Sequence, residues 1–219
     1  MVRKVAKENG VAFWAFVQAG SVMSVDVAEG YDTEGSLLWN VNTALAYGAK
    51  GIQYFTLYTQ KFGSDTSTGT TSGIYNVHPF LNDRAEYVRV ANRQIQAIDE
   101  ILMNSYNDGV IFAGSMPYSN VNSNMTTLTK PSAAYGTLTS YNELTSINAN
   151  HTLVGCFNYN GKTALYVVNN SVNEGDSVTL NFNNKYKYKV IQDANVEYKS
   201  GNSLSLSLKA REGVLIVLE

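Results

Sequence analysis

An α/β first half followed by an all-β second half is the fold class that this sequence predicts. Three observations carry that reading. Up to about residue 104, apolar runs of strand length alternate with segments of helical period. From Gly109 onward the hydrophobic period falls to two, the signature of strands with one buried and one wet face. Between the two regimes lies Ser105-Tyr106-Asn107-Asp108-Gly109, a turn-forming stretch. The expected division is therefore 1–106 and 107–219.

In chain order, Met1–Gly10 reads as the last turns of a helix. Lys4 and Lys7 suit a helix C-terminal end and Gly10 suits its stop. The run VAFWAFVQ (11–18) is apolar on both alternating faces, the pattern of a parallel strand covered on both sides. A polar stretch, 19–35, follows, and Thr33 or Ser36 then caps a helix. Leu37, Val41 and Leu45 form its apolar stripe, with Leu38 and Ala46 beside it. Gly48 and Gly51 end that helix, and GIQYFTLYT (51–59) is the second strand. Strand, helix and strand make a βαβ unit with a right-handed crossover expected. A Gly-, Ser- and Thr-rich loop (63–73) leads to a long helix from about Asp83 to Asn104. Its apolar positions are Tyr87, Val88, Ala91, Ile95, Ile98, Ile101 and Leu102, with Asp83 as the cap.

The second half reads as an antiparallel sandwich of eight or nine short strands. Tyr186, Tyr188 and Val190 alternate with Lys185, Lys187 and Lys189, so the tyrosines are expected to point inward. Leu204, Leu206 and Leu208 alternate with serines, and Val178, Leu180 and Phe182 with Thr179 and Asn181. Asn160-Gly161 lies between LVGCFNY and KTALYVV and predicts a type I′ hairpin turn. Asn183-Asn184 and Gly201-Asn202 are further turn candidates.

Composition removes several function classes. The 219 residues carry 16 basic and 18 acidic side chains, with charged residues at only 16 %. A pI of about 5.7 and the lack of a basic run argue against a nucleic-acid partner. No segment approaches ~18 uninterrupted apolar residues, so no membrane span is expected. Cys156 is the only cysteine, and His78 and His151 lack metal-site spacing, so no metal and no cofactor is indicated. The first ten residues do not read as a secretory signal, and localisation stays unassigned.

Two strands that read as covered on both faces need neighbours that two helices cannot supply. Either a longer parent chain provides them, or self-association of this chain completes the sheet. The helix-like start favours the parent chain.

LLWNVNTALAYGAKGIQYFTLYT (37–59) resembles the last helix–strand step of the (β/α)8 TIM barrels of bacterial glycoside hydrolases, the β-galactosidase-like and other retaining barrels above all. FWAFVQAG (13–20) resembles the seventh strand, AEYVRVANRQIQAIDEIL (85–102) the closing helix, and LSLKAREGVLIVLE (206–219) the last strand of the β-sandwich that often follows. LVGCFNYNGKTALYVVNNS (153–171) adds a fifth segment in the right order. The resemblance implies the last β/α units of an incomplete barrel followed by an antiparallel β-sandwich. It implies a carbohydrate as substrate. Two carboxylates flanking the glycosidic bond do the chemistry in this class. The strand end where the nucleophile is often found holds Gln18 here, and an amide cannot form the glycosyl ester. No catalytic residue is carried over, and this chain alone is expected to be inactive. The alternative is a non-catalytic carbohydrate-binding or structural module, which would need an exposed aromatic row on the sandwich.

Barrel active sites lie at the C-terminal ends of the strands. That places Gln18, Tyr58 and Thr56 at the mouth, with Trp14 and Tyr54 lower on the same strands, as the candidate substrate-binding set. For Trp14, Phe16, Tyr54 and Phe55 the preferred reading is barrel or helix-facing core. Asp26, Glu29, Asp32 and Glu34 are assigned to capping, turns and solvation, Trp39 to packing, His78 to a solvated loop and Cys156 to the buried interior.

Overall fold

The computed structural model describes residues 2–20, 33–58, 60–61, 70–71, 73–75, 80–81, 83–114, 138–171 and 173–219. Helix α1 (Val2–Glu8) ends before Gly10, whose φ of +64° is the left-handed conformation that stops a helix at little cost. Strand β1 (Trp14–Gln18) then runs parallel to β2 (Gly51–Phe55), with α2 (Glu34–Ala46) between them in sequence. Thr33 is the N-cap of α2. Its hydroxyl accepts from the Ser36 N–H at 3.1 Å, and Ser36 Oγ accepts from the Thr33 N–H at 3.1 Å. Both candidate caps thus act together in one capping box. Leu37, Val41 and Leu45 are buried, as their spacing requires.

Short strands β3 (Gln60–Lys61) and β4 (Thr70–Thr71) pair antiparallel. Helix α3 (Asp83–Met103) buries Val88, Ala91, Ile98, Ile101 and Leu102, with Tyr87 and Ile95 packed partly against the same core. Its C-terminal carbonyls would lack partners inside the helix. Lys50, just before β2, partners two of them: its ammonium donates to the Leu102 carbonyl and to Met103 O at 3.4 Å, and also to Ser105 O just beyond the helix at 2.6 Å. Replacing Lys50 with Met removes these donors while keeping the stem. The expected cost is about 1–3 kcal/mol, read by urea denaturation, and an unchanged midpoint would refute the cap.

Seven antiparallel strands follow among the described residues, rather than the eight or nine expected. They are β5 (Ser105–Gly114), β6 (Leu144–Asn148), β7 (His151–Tyr159), β8 (Lys162–Asn169), β9 (Asp176–Gln192), β10 (Asn195–Leu208) and β11 (Gly213–Leu218). Their order is β10-β9-β11-β8-β7-β5, with β6 also on β9. The first strand starts at Ser105, directly after α3, so the expected turn at 105–109 is instead strand with a bulge between Asn107 and Gly109.

Asn160 (φ +53°) and Gly161 (φ +82°) form the predicted hairpin turn between β7 and β8. The other two turn candidates are corrected: Asn183-Asn184 lies within β9 and Gly201-Asn202 within β10. The chain reverses at Asp193-Ala194, both with positive φ. Turn-forming residues at 183–184 and 201–202 instead mark an irregularity in the ladder. Gly201 pairs with Tyr186 and Ser203 with Asn181, so residues 182–185 oppose Asn202 alone. Such unequal pairing bends a strand.

Two apolar clusters lie on opposite faces of this sheet. On one face Leu153, Phe157, Tyr166, Leu215 and Val217 meet α2 and α3. On the other, Val154, Cys156, Leu165, Val167, Val214 and Ile216 meet Val178, Leu180, Leu204, Leu206 and Leu208 from the far ends of β9 and β10. Strands β7, β8 and β11 are therefore buried on both faces, which is why LVGCF, ALYVV and VLIVL are continuous apolar runs. Tyr188 is fully buried and Tyr186 half-buried, as their alternation with lysines requires.

Helix α2 touches the sheet without intervening side chains at Gly155, where a Cβ would strike the Ala46 backbone. Asn42, 2 % exposed, accepts from the Tyr166 hydroxyl at 2.7 Å and donates to the Arg211 carbonyl at 2.9 Å. The Trp39 indole N–H donates to Asn170 Oδ1 at 2.8 Å. Trp39 is thus a packing residue with a polar anchor.

Candidate functional site

Register fixes what each residue of the parallel pair faces. Trp14 lies opposite Gly51, Phe16 opposite Gln53 and Gln18 opposite Phe55 on one side, while Ala15–Ile52 and Val17–Tyr54 take the other. Helices α2 and α3 cover the second set, and Val17 is buried among them. The first set is bare: Phe16 is 77 % exposed, Trp14 60 % and Phe55 42 %. The expectation that both strands are covered on both faces is therefore corrected within the described residues. The covered face has its helices, and among the described residues no layer lies against the other face.

The five candidate residues do not form one cluster. Gln18 and Thr56 come together at the C-terminal ends of the two strands, where the Ala19 N–H donates to the Phe55 carbonyl at 2.8 Å. The chain beyond β2 stays extended along residues 74–75, with Ile74 N donating to Thr56 O at 3.0 Å and Tyr75 N to Leu57 O at 2.8 Å. This brings the rings of Tyr58 and Tyr75 to 5.5 Å, tilted by 33°. Tyr58 is 55 % exposed. Gln18 and Thr56 thus lie at the strand ends, and the Tyr58–Tyr75 pair follows further along the chain beyond β2.

Trp14 shares the face of Gln18 but sits four residues away, roughly 13 Å along a parallel strand. Its indole lies across Gly51, where a Cβ would fall 2.5–2.7 Å from ring atoms. Only glycine leaves the ring that place. Tyr54 points the other way: its hydroxyl donates to Asn92 Oδ1 of α3 at 2.8 Å, and burial pushes its pKa up to about 12. It fastens β2 to α3. Tyr75, Phe16 and Phe55 are the members of the exposed surface that sequence reading left out or assigned to core. The alternation 14-16-18 was the available signal for Phe16.

No carboxylate lies on β1, β2 or residues 56–58. Glu34 sits in the first turn of α2, where the helix dipole favours it. Asp26, Glu29, Asp32 and His78 lie outside the described residues, as does most of the 63–73 loop. Among the described residues no group of three or more His, Cys, Asp or Glu is placed to hold a metal ion. Aromatic faces, an amide and hydroxyls suit this end of the strand pair to binding polar rings. Among its described residues it carries no carboxylate or imidazole for proton transfer to a glycosidic oxygen.

No protein-family profile matches the sequence, and no curated protein sequence matches it. Solved structures do. An Anoxybacillus α-amylase is similar over 99 % of this chain at 12 % identity, with a TM-score of 0.50. The α-amylase of Geobacillus thermoleovorans, solved with acarbose, is similar over 99 % at 11 % identity and a TM-score of 0.48, with 42 % of its own chain covered. A family GH30 endoxylanase from Clostridium papyrosolvens is similar over 98 % at 12 % identity, a TM-score of 0.41 and 44 % of its own chain. These structural neighbours are glycoside hydrolases. At such identities the likeness to the Anoxybacillus enzyme is one of fold, and the other two, below 0.5, support no inference. The chain spans 40 % of the Anoxybacillus enzyme's length.

Proposed function

We propose that this chain is part of a glycoside hydrolase. Residues 1–106 supply the closing β/α units of a (β/α)8 barrel and 107–219 an appended β-sandwich. Its contribution to catalysis is a stretch of sugar-binding wall rather than the carboxylate pair. One observation carries this reading: a parallel strand pair is clothed by helices on one face and, among the described residues, exposes aromatic side chains on the other. A barrel strand has that arrangement when its inner neighbours are taken away. The fold likeness to the Anoxybacillus α-amylase supports it.

On this reading Phe16, Phe55 and Trp14 face the barrel interior. Gln18, Thr56 and Tyr58 stand at the mouth, where an amide and hydroxyls hydrogen-bond sugar hydroxyls and an aromatic ring packs on sugar C–H faces. Retaining chemistry requires two carboxyl groups about 5–5.5 Å apart. Neither strand offers one, so the acid/base and the nucleophile belong elsewhere in the enzyme. The same bare face makes a second copy of the chain a less suitable partner, since two such faces would close no eight-stranded ring. A stand-alone binding module finds less support, because Tyr188 is buried and Tyr186 half-buried, leaving no aromatic row at those positions.

The genomic reading frame tests the proposal. Upstream of the Met1 codon it is expected to continue through further strand–helix alternations with a Glu at a strand end. An in-frame stop and ribosome-binding site there would overturn it. The purified chain is expected to leave nitrophenyl glycosides at background turnover, and robust pH-dependent hydrolysis would equally count against the assignment.

A further inference from the structure

A cleft of about 220 Å³ lies at the opposite end of the β1–β2 pair from Gln18 and Tyr58. Arg3 and Lys7 of α1, Tyr47 at the end of α2, and the apolar side chains of Val11, Phe13 and Tyr106 line it.

Arg3 is only 8 % exposed, yet its guanidinium enters no ion pair among the described residues. Nε donates to Asn107 Oδ1 at 2.6 Å and Nη2 to the Asn107 carbonyl at 3.3 Å. Nη1 has no acceptor among the described residues. Buried guanidinium groups are ordinarily paired with a carboxylate. Asp108 does not pair with it; its Oδ2 accepts from the Tyr141 hydroxyl at 2.6 Å. Burial lowers the Arg3 pKa against weaker opposing effects from Tyr106, Tyr47 and Asp108. Lys7, one helical turn on, donates to the Asp108 main-chain carbonyl at 3.2 Å and lies 5.3 Å from the Tyr106 ring centroid. It too lacks a carboxylate partner among the described residues. The Tyr47 hydroxyl completes the set, with no hydrogen bond to any described residue. Lys50 reaches the same cleft, but carbonyls at the end of α3 occupy its ammonium.

We infer that this cleft binds a small carboxylate borne on a single ring. The carboxylate accepts from Arg3 Nη1, the Tyr47 hydroxyl and the Lys7 ammonium, and the ring lies on Val11, Phe13 and Tyr106. Charge-assisted bonds of this kind are the strong ones. The volume is below the roughly 300–1,000 Å³ of drug-sized sites, so one ring fits and an oligosaccharide does not. An acidic sugar and an aromatic acid share the required chemistry. The cleft's chemistry does not depend on the carbohydrate reading of the strand ends.

The test uses the full 219-residue chain at pH 7 and fixed ionic strength, with D-glucuronate, benzoate, D-glucose and inorganic phosphate as probes. One or both acids are expected to raise the melting midpoint saturably, as a ligand bound only by the folded state must, while glucose does not. Tyr47→Phe and Lys7→Gln each weaken that binding by about tenfold, the loss of one charge-assisted bond. Glucuronate alone identifies an acidic sugar and benzoate alone an aromatic acid. Phosphate matching both acids overturns the ring-borne carboxylate. Binding of neither acid, or binding unchanged in both variants, overturns the site.

Discussion

Gly155→Ala is expected to cost about 3 kcal/mol or more, at or above the upper end of ordinary overpacking. The new methyl would strike the backbone of Ala46 at the end of α2. Its Cβ would overlap the Ala46 carbonyl oxygen and lie 2.8–2.9 Å from Ala46 Cα and C. A side chain can swing away from such a clash; a helix backbone cannot, so α2 must lift from the sheet. Three anchors hold α2 there: Asn42 to Tyr166, Asn42 to Arg211 and Trp39 to Asn170. The penalty falls on the junction between the helices and the sheet. Urea denaturation reads it, with Gly161→Ala as the comparison. Gly161 is open to space, so that change costs only about 1 kcal/mol through its φ of +82°. Equal losses in the two variants would show that α2 and β7 are not in direct backbone contact.

Asp176→Asn is expected to cost about 2–3 kcal/mol at pH 7, because every bond around the carboxylate is donated to it. Asp176, 3 % exposed, accepts from the Asn150 N–H at 3.0 Å and the Asn150 side-chain amide at 3.1 Å. The His151 N–H and the Thr152 hydroxyl add bonds of 2.9 Å each. An amide NH2 turned into this ring meets other donors and strands at least one buried group, at roughly 1–3 kcal/mol apiece. Burial alone would raise the Asp176 pKa. The bonds from His151, Thr152 and Asn150 together outweigh it and hold the carboxyl below its ordinary value. A folded pKa below the unfolded one stabilises the protein at all pH above the unfolded value, about 3.9. That contribution is lost as pH falls through the folded pKa. The native chain and the Asp176→Asn variant should therefore differ most near neutrality and converge as pH drops below about 4. A gap that persists undiminished at about pH 3, below the unfolded pKa, would mean that the charge is not what the site requires.

Both predictions concern contacts that no periodicity announces. Helix α2 was readable from Leu37, Val41 and Leu45 and from Thr33 and Ser36. Its docking on β7 was not, because nothing in the sequence says which strand a small residue will face. LVGCF could be read as a strand, with Gly155 an unremarked member. Asp176 begins a strand whose alternation was plain, yet its partners lie 24–26 residues away, at Asn150 in the β6–β7 turn and His151 and Thr152 at the start of β7. Asn124, Asn150 and Asn169 fit the N-glycosylation triplet; Asn124 lies outside the described residues, Asn150 is tied to Asp176 and Asn169 is fully buried.

The candidate site divided in the same way. Gln18 and Thr56 come together because parallel strands in register bring their C-terminal ends together, while Tyr58 lies further along and stacks with Tyr75. Tyr54 left the set because strand alternation put it on the helix side, where Asn92 receives its hydroxyl. That parity was available in the sequence. Which parity faces the helices was not.

The sequence by itself determined the local elements: α1 stopped by Gly10, the βαβ unit, α3 with its stripe, the hairpin at Asn160-Gly161 and the period-two strands beyond. Each depends on spacing, capping or positive φ within a few residues, and these are properties of the chain alone. Only the tertiary structure decided which continuous apolar runs are covered twice. The antiparallel β7, β8 and β11 lie between α2 and α3 on one side and the far ends of β9 and β10 on the other. The parallel β1 and β2 expose Phe16 and Trp14. Both kinds of run look alike as strings, because a run of apolar residues records that burial is favourable and not which layer supplies it. The bend at residues 182–185 and the reversal at Asp193-Ala194 were likewise settled by tertiary packing. Closing the second apolar cluster needs long strands that turn back over their own sheet, and that demand overrode the turn preference of Asn183-Asn184 and Gly201-Asn202.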